Sequence, residues 1–296
     1  MTMQRREALL AMLYGITMPL LRVAPRAHHA GEAPDFAEVE RKLGGRLGVA
    51  VLDVSTGRRL AYRADERFPM CSTFKWLLAA KVLSLVDAGR EQLSRVVPYS
   101  QADLLEYAPI TRARVAEGGM QVSELIAAAI QYSDNTAANL LLRAVGGPAA
   151  VTSYLRGVGD SATRLDRMEP DLNSAVPVDV RDTTTPNSMV ADMHSLLVGR
   201  KLGKTSRELL LGWLEGNTTG NEKLRAGIPR HWRIGDKTGS GAHGSMNDVA
   251  IMWPSAQRAV LVAAYITETA ASLGDRNEVL AGVGRAVATW VARDRR

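Results

Sequence analysis

Ser72 and Lys75 stand three residues apart in MCSTFKW (70–76), a stretch that is otherwise largely apolar. On a helix, positions i and i+3 share one face, so a hydroxyl and an amine would meet there. A serine hydroxyl attacks a carbonyl only when a neighbouring base takes its proton. A lysine whose pKa is lowered by burial and by its neighbours can be that base. A helix N-terminus beside the serine would also turn backbone N–H groups toward an oxyanion. Alone the pair is a weak signal, because a chain of this length holds roughly one S-x-x-K by chance. An ordinary helix start, with Ser72 as the cap, uses the same residues.

Two further triplets bear on it. Ser133-Asp134-Asn135 lies between two helical segments. Asp134 and Asn135 suit a helix cap. Ser133 and Asn135, aimed into a cleft, would relay a proton and grip a substrate carbonyl. Lys237-Thr238-Gly239, followed by Ser240-Gly241, closes a candidate strand. On an edge strand Gly239 lets a ligand approach the backbone, and Lys237 would hold a substrate carboxylate. Each triplet also reads as a plain helix junction or strand end. Together, in the order S-x-x-K, S-D-N, K-T-G, on a helix, a helix junction and a strand, they make a strong joint signal.

The elements that must position these residues are legible in outline. RLGVAVLDVSTGRRLAYRADERF (46–68) predicts two strands around the Ser55-Thr56-Gly57 turn. From Ser72 to about Val86 the pattern is helical and apolar nearly all round, as in a buried helix. Residues 121–160 continue helical, with Gly146-Gly147-Pro148 ending one helix and starting the next. Between Ala162 and Asn187 the periodicity vanishes over a stretch with three prolines, which suits a compact Ω-loop. Helical patterning resumes in SMVADMHSLLVG and SRELLLGWLEG. RIGDKTGS, NDVAIMWP and RAVLVAAYITE read as strands, with a turn at Pro254-Ser255, and a helix closes the chain at about 275–292. Strands at both ends and helices between predict an α/β fold, its antiparallel sheet built from both chain ends and flanked by helices. An all-α lobe is inserted, giving three layers. The boundaries expected are 31–68 with 215–296 for the α/β lobe, and 69–214 for the all-α lobe, with the Ω-loop at about 164–182.

MCSTFK, SDNTAANLLL, EPDLN with RDTTTP, and KTGSGAHG with NDVAIMWP resemble the class A serine β-lactamases, over most of the chain from about residue 35 onward. The likeness is to the branch that hydrolyses extended-spectrum cephalosporins, and the fold expected is that of β-lactamases and D,D-peptidases. The resemblance implies Ser72 as nucleophile and Lys75 as its partner, with Ser133 passing a proton to the departing ring nitrogen. It implies Glu169 as the base that activates the deacylating water, with Asn173 its partner. An ester on Ser72 persists unless something activates water beside it. The resemblance also implies an oxyanion hole from the N–H groups of Ser72 and Ser240, and substrate contacts from Asn135, Lys237 and Thr238. Tyr107 corresponds to an aromatic gatekeeper at the cleft mouth. Arg167 and Asp182 correspond to an ion pair pinning the loop, and Glu169-Pro170 to a cis peptide. The family leaves open whether Lys75 or Glu169 takes the serine proton. The chain departs from the pattern at Met246, where many members place an arginine for the substrate carboxylate; Lys223, Arg225 and Arg276 are the candidate replacements. Gly241 stands where some carbapenem-hydrolysing relatives place the cysteine that would pair with Cys71.

The rival readings are a D,D-peptidase or a β-lactam sensor domain. Glu169 with Asn173 argues against the first. A sensor would hang from membrane-spanning helices, and no stretch of the sequence is long and apolar enough for one. A His-based triad is disfavoured, since no G-x-S-x-G occurs and the histidines lack such a context. No metal ligands at a binding spacing occur, so no metal or other cofactor is expected. The net charge of +6 comes without a run of like charges, and aromatics make up only 5% of the chain. Both argue against a nucleic-acid partner. The partners expected are small β-lactams, with no membrane and a monomeric chain. The first 30 residues place Arg5-Arg6 before an apolar stretch from Ala8 to Leu21. That order predicts an export signal of twin-arginine type and a periplasmic protein.

Overall fold

The computed structural model describes residues 35–293. The export signal expected at 1–30 lies outside them. Five antiparallel strands form the central sheet: β1 (Arg46–Asp53), β2 (Arg59–Tyr62), β3 (Arg233–Ser240), β4 (Met246–Ser255) and β5 (Arg258–Thr267), in the order β2-β1-β5-β4-β3. The sheet joins both ends of the described chain because β1 lies beside β5 along its whole length, from Arg46 opposite Thr267 to Asp53 opposite Val260. β3, which carries Lys237-Thr238-Gly239, is left at the edge.

Both faces of the sheet are covered, so β1 is buried nearly throughout and reads as a continuous apolar run. Val49, Val51, Val260 and Val262 point to one side, where α1 (Phe36–Leu43) and the C-terminal helix (Leu273–Ala292) supply Phe36, Leu280, Val283 and Trp290. Ala50, Leu52, Val249 and Leu261 point to the other side, into the larger cluster built by the central helices. There α2 (Phe74–Asp87) is the hub. Phe74, Trp76, Leu77, Leu78, Val82 and Leu83 are all buried, as expected of a helix with apolar residues on every side. Around it lie α3 (Val122–Gln131), α4 (Asn135–Val145), α5 (Pro148–Val158), α6 (Pro186–Met193) and α7 (Lys204–Glu215).

Several local outcomes differ from the sequence reading. Ser72 does not cap a helix. It sits inside a single 3-10 turn, Cys71–Thr73, ahead of α2. The helix in SMVADMHSLLVG changes to a π-helical turn at His194–Val198. β4 runs through Pro254-Ser255, with an irregular register after Met252, so the turn falls at 256–257. The helix Phe36–Leu43 was not read from the sequence; its charged residues mask a stripe of only two buried positions, Phe36 and Leu43.

Candidate active site

Cys71 holds a left-handed backbone angle, φ 45°. A non-glycine residue rarely adopts it, and such strain collects where the surroundings over-determine the chain. Here Asn247 of β4 donates to the carbonyls of Pro69 (2.8 Å) and Met70 (3.0 Å). Thr73 Oγ1 donates to Met70 O at 2.8 Å, and the Met70 N–H donates to Asp182 O at 2.9 Å. The turn so clamped presents Ser72 at the base of a cleft of about 380 Å³, together with Tyr107, Ser133, Asn135, Asn173, Thr219, Lys223, Thr238, Gly239 and Ser240.

Lys75, one turn into the chain beyond Ser72, has no solvent exposure. Its ammonium reaches Ser133 O at 2.8 Å, Asn135 Oδ1 at 2.6 Å and Glu169 Oε1 at 2.9 Å. Ser72 Oγ donates to that same Glu169 oxygen at 3.3 Å, and Asn173 Nδ2 donates to its other oxygen. Burial pushes the Lys75 pKa below the usual lysine range, while the Glu169 carboxylate holds it up. A lysine poised this way can exchange a proton with its neighbours.

Ser133 also holds a left-handed angle, φ 58°, immediately before the α4 cap. Asp134 fixes that junction. Its buried carboxylate accepts from the N–H groups of Ala137, Ile110 and Thr111 and from the Thr111 hydroxyl. The cap reading of Asp134 therefore holds, and the cap is what frees Ser133 and Asn135 to face the cleft. Ser133 Oγ accepts from Lys237 Nζ at 3.1 Å. Burial, then the neighbouring Lys75, push the Lys237 amine down to about 7. The two lysines thus meet through Ser133, one on each side.

Arg167 Nε pairs with Asp182 Oδ2 at 2.6 Å and closes the loop that carries Glu169. The Glu169-Pro170 peptide is cis. A residue not read from the sequence completes the loop's anchorage. Asn139 accepts from Glu169 N (3.0 Å) and donates to Glu169 O (2.8 Å). Asn139 lies four residues after Asn135, on the same face of α4, so a second asparagine at that spacing was the available signal. Thr219, bonded to Thr238 through their hydroxyls at 2.5 Å, was likewise missed; nothing in its local pattern marks it.

Of the three candidate cations, Lys223 alone lines the cleft. Arg225 is committed to Asp236, and Arg276 donates to Ser272 O at 3.3 Å on its own helix. Met246 is buried opposite Ser240, among the residues packed on the C-terminal helix. Cys71 is a buried free thiol whose sulfur lies 2.7 Å from where a Cβ on Gly241 would stand. Tyr107 is half exposed at the rim, and His243 is exposed.

Gly239 packs closely against the serine turn. A Cβ there would stand 2.7 Å from Met70 O and 3.1 Å from Ser72 N. Gly239→Ala is therefore expected to push β3 off the turn and lower kcat/KM about 100-fold, since displacements near 1 Å cost that much. Steady-state kinetics measures it.

A strained turn offering a serine to a buried lysine and a carboxylate, between an antiparallel sheet and a helical lobe, defines an enzyme that acts through an active-site serine. The chain belongs to the β-lactamase enzyme family, whose model matches residues 33–291, and within it to the class A serine β-lactamases, hydrolases of β-lactams. It is 45% identical to the β-lactamase CTX-M-8 of Citrobacter amalonaticus over 269 residues, covering 90% of this chain and 92% of that one. Among solved structures it is similar to an ancestral class A β-lactamase (56% identity, TM-score 0.85, covering 86% of this chain and 97% of that one). It is similar too to the putative class A β-lactamase PenP of Rhodopseudomonas palustris (49% identity, TM-score 0.84, 86% and 97% covered). Among the described residues, no helix is long and apolar enough to cross a membrane.

Proposed function

We propose that the chain opens β-lactams through an ester on Ser72 and that Glu169 activates the water that removes it. The observation that carries this reading is the Glu169 carboxylate. It contacts the Ser72 hydroxyl, the Lys75 ammonium and the Asn173 amide from a loop pinned at both ends. Ser72 attacks the lactam carbonyl, and the developing oxyanion takes hydrogen bonds from the N–H groups of Ser72 and Ser240. The serine proton enters the Lys75–Glu169 pair. Ser133, bonded to Lys237, returns a proton to the ring nitrogen as the C–N bond breaks. Water held by Glu169 and Asn173 then attacks the ester, and Ser72 recovers its proton. Asn135 faces the substrate's side-chain amide; Lys237, Thr238 and Lys223 face its carboxylate. Tyr107 stands at the mouth, where it would cover the bound ring.

The substrate range proposed is penicillins and cephalosporins, extended-spectrum members included, on the sequence likeness described above. A panel of hydrolysis rates extending to carbapenems and monobactams ranks them. One chain supplies every group named, which supports a monomeric working unit. Arg5-Arg6 and the apolar stretch after them support export to the periplasm by the twin-arginine route.

Purified protein lacking residues 1–30 is expected to turn over a chromogenic cephalosporin many times, at a rate unaffected by chelator. An adduct on Ser72 that lasts for hours would sink the hydrolase mechanism in favour of a sensor or peptidase.

The Lys237 amine predicts a pH dependence. It is charged below about 7 and loses its charge above. The substrate carboxylate is anionic throughout this range, so its attraction weakens as pH rises. We expect kcat/KM, which reports the free enzyme, to fall on the alkaline side with an apparent pKa of 7 or somewhat higher. The kcat limb should lie higher still, because a bound carboxylate holds the proton on the lysine. A flat profile for kcat/KM from pH 6 to 9 counts against the charge of Lys237 in binding.

A further inference from the structure

Residues 217–227 form the cleft wall that carries Thr219 and Lys223. The segment's regular structure is one four-residue helix, Leu224–Gly227. A stretch with so short a backbone ladder is held in place by side chains. Two carboxyls of the sheet do this, one on β3 and one on β4. Asp236 accepts from Asn217 Nδ2 and from Arg225 Nη2. Gly220 lies over it so closely that a Cβ would stand 2.0 Å from Asp236 Oδ2. Asp248 accepts, at 3.1 Å, from the backbone N–H of Leu224, the residue next to Lys223. Neither carboxyl is exposed.

We propose that Asp248 is a positioning residue for substrate binding: its carboxyl fixes the Leu224 amide and so aims Lys223 at the carboxylate of a bound β-lactam. The inference rests on the reading of Lys223 as the cation that stands in for the arginine replaced by Met246.

The surroundings decide which form of Asp248 does this. Arg225 is bonded to Asp236, and Asp248 Oδ1 is buried without a hydrogen-bond partner. A second ionised carboxylate beside Asp236, with one backbone donor, would carry a large desolvation penalty. Burial, then Asp236, push the Asp248 pKa well above the carboxylate range, against Lys223 and Arg225. Asp248 therefore works as the neutral acid. Asparagine reproduces its shape and its acceptor; leucine keeps its branched skeleton, in a larger volume, and removes the acceptor.

The test compares one cephalosporin with its methyl ester, which lacks the carboxylate. Asp248→Leu should raise KM for the free acid about tenfold, the worth of one charge-assisted contact, with kcat within about twofold and KM for the ester unchanged. Lys223→Ala should give the same pattern, and adding Asp248→Leu to it should change nothing further. Asp248→Asn should keep both KM values and leave the alkaline limb of kcat/KM where it was. If Lys223→Ala affects acid and ester alike, the reading of Lys223 fails. If Lys223→Ala behaves as expected but Asp248→Leu lowers kcat equally on both substrates, the positioning role fails. Should Asp248→Leu not fold, Asp248→Asn decides. A KM rise for the acid, or an alkaline limb moved to lower pH by loss of a negative charge near Lys237, overturns the neutral-acid role.

Discussion

Glu169→Gln is expected to leave the protein acylated on Ser72 and nearly unable to free itself. The glutamine keeps an acceptor for the Ser72 hydroxyl and stays within reach of Asn173, Asn139 still holding its backbone. It loses the ability to take a proton from water. General-base assistance contributes about 10² to 10⁴ in rate, so kcat should fall by about 10³. Acylation has a second route to a base. With the carboxylate gone, the largest offset to the burial of Lys75 is lost, only weaker ones such as Asp134 remain, and its pKa falls further. A neutral lysine is then available to the serine. Intact-protein mass spectrometry after mixing with a cephalosporin should show one adduct per chain within the mixing time, persisting for many minutes. An unmodified protein with slow turnover would mean that Glu169 serves acylation instead.

Lys75→Met should cost both rate and stability. The methionine fills the lysine's volume but pairs with nothing. Glu169 is left as a buried carboxylate whose ammonium partner is gone. Breaking a buried ion pair from one side costs about 3–5 kcal/mol, or a fall in Tm of roughly 10 °C for a chain of this size. Adding Glu169→Gln removes the unpaired charge, so it should recover most of the Tm and none of the activity. Calorimetry of the four proteins checks this cycle. A double variant no more stable than Lys75→Met would mean that the two groups are coupled weakly, against the 2.9 Å contact.

Much of this was legible without a structure. The S-x-x-K, S-D-N and K-T-G triplets sit on or beside strongly patterned elements, so the helix, the helix junction and the strand that carry them could be read from the sequence. Asp134 beside Asn135 specifies a helix start because a carboxylate two bonds from the backbone can reach the next free N–H groups. The apolar residues around α2 specify burial, since no face is left for water. The antiparallel sheet built from both chain ends was legible for the same reason, as strands rich in valine and alanine can be buried on both sides.

The tertiary structure decided what depends on meetings between distant segments. The 3-10 turn at Ser72 with its left-handed Cys71 is imposed by Asn247 and Asp182, which are far away in sequence; no local pattern predicts strain that neighbours impose. Asn139 became the anchor of Glu169 only because α4 lies against the loop. Lys223 stood out from Arg225 because Arg225 faces a buried aspartate, and charge pairing across a fold leaves no trace in spacing. The sequence by itself determined which groups are candidates for the chemistry, since residue type limits which side chains can serve as nucleophile, base or cation. The structure decided their protonation and aim, because both depend on burial and on the charges within a few ångströms, and only the packed chain brings those together.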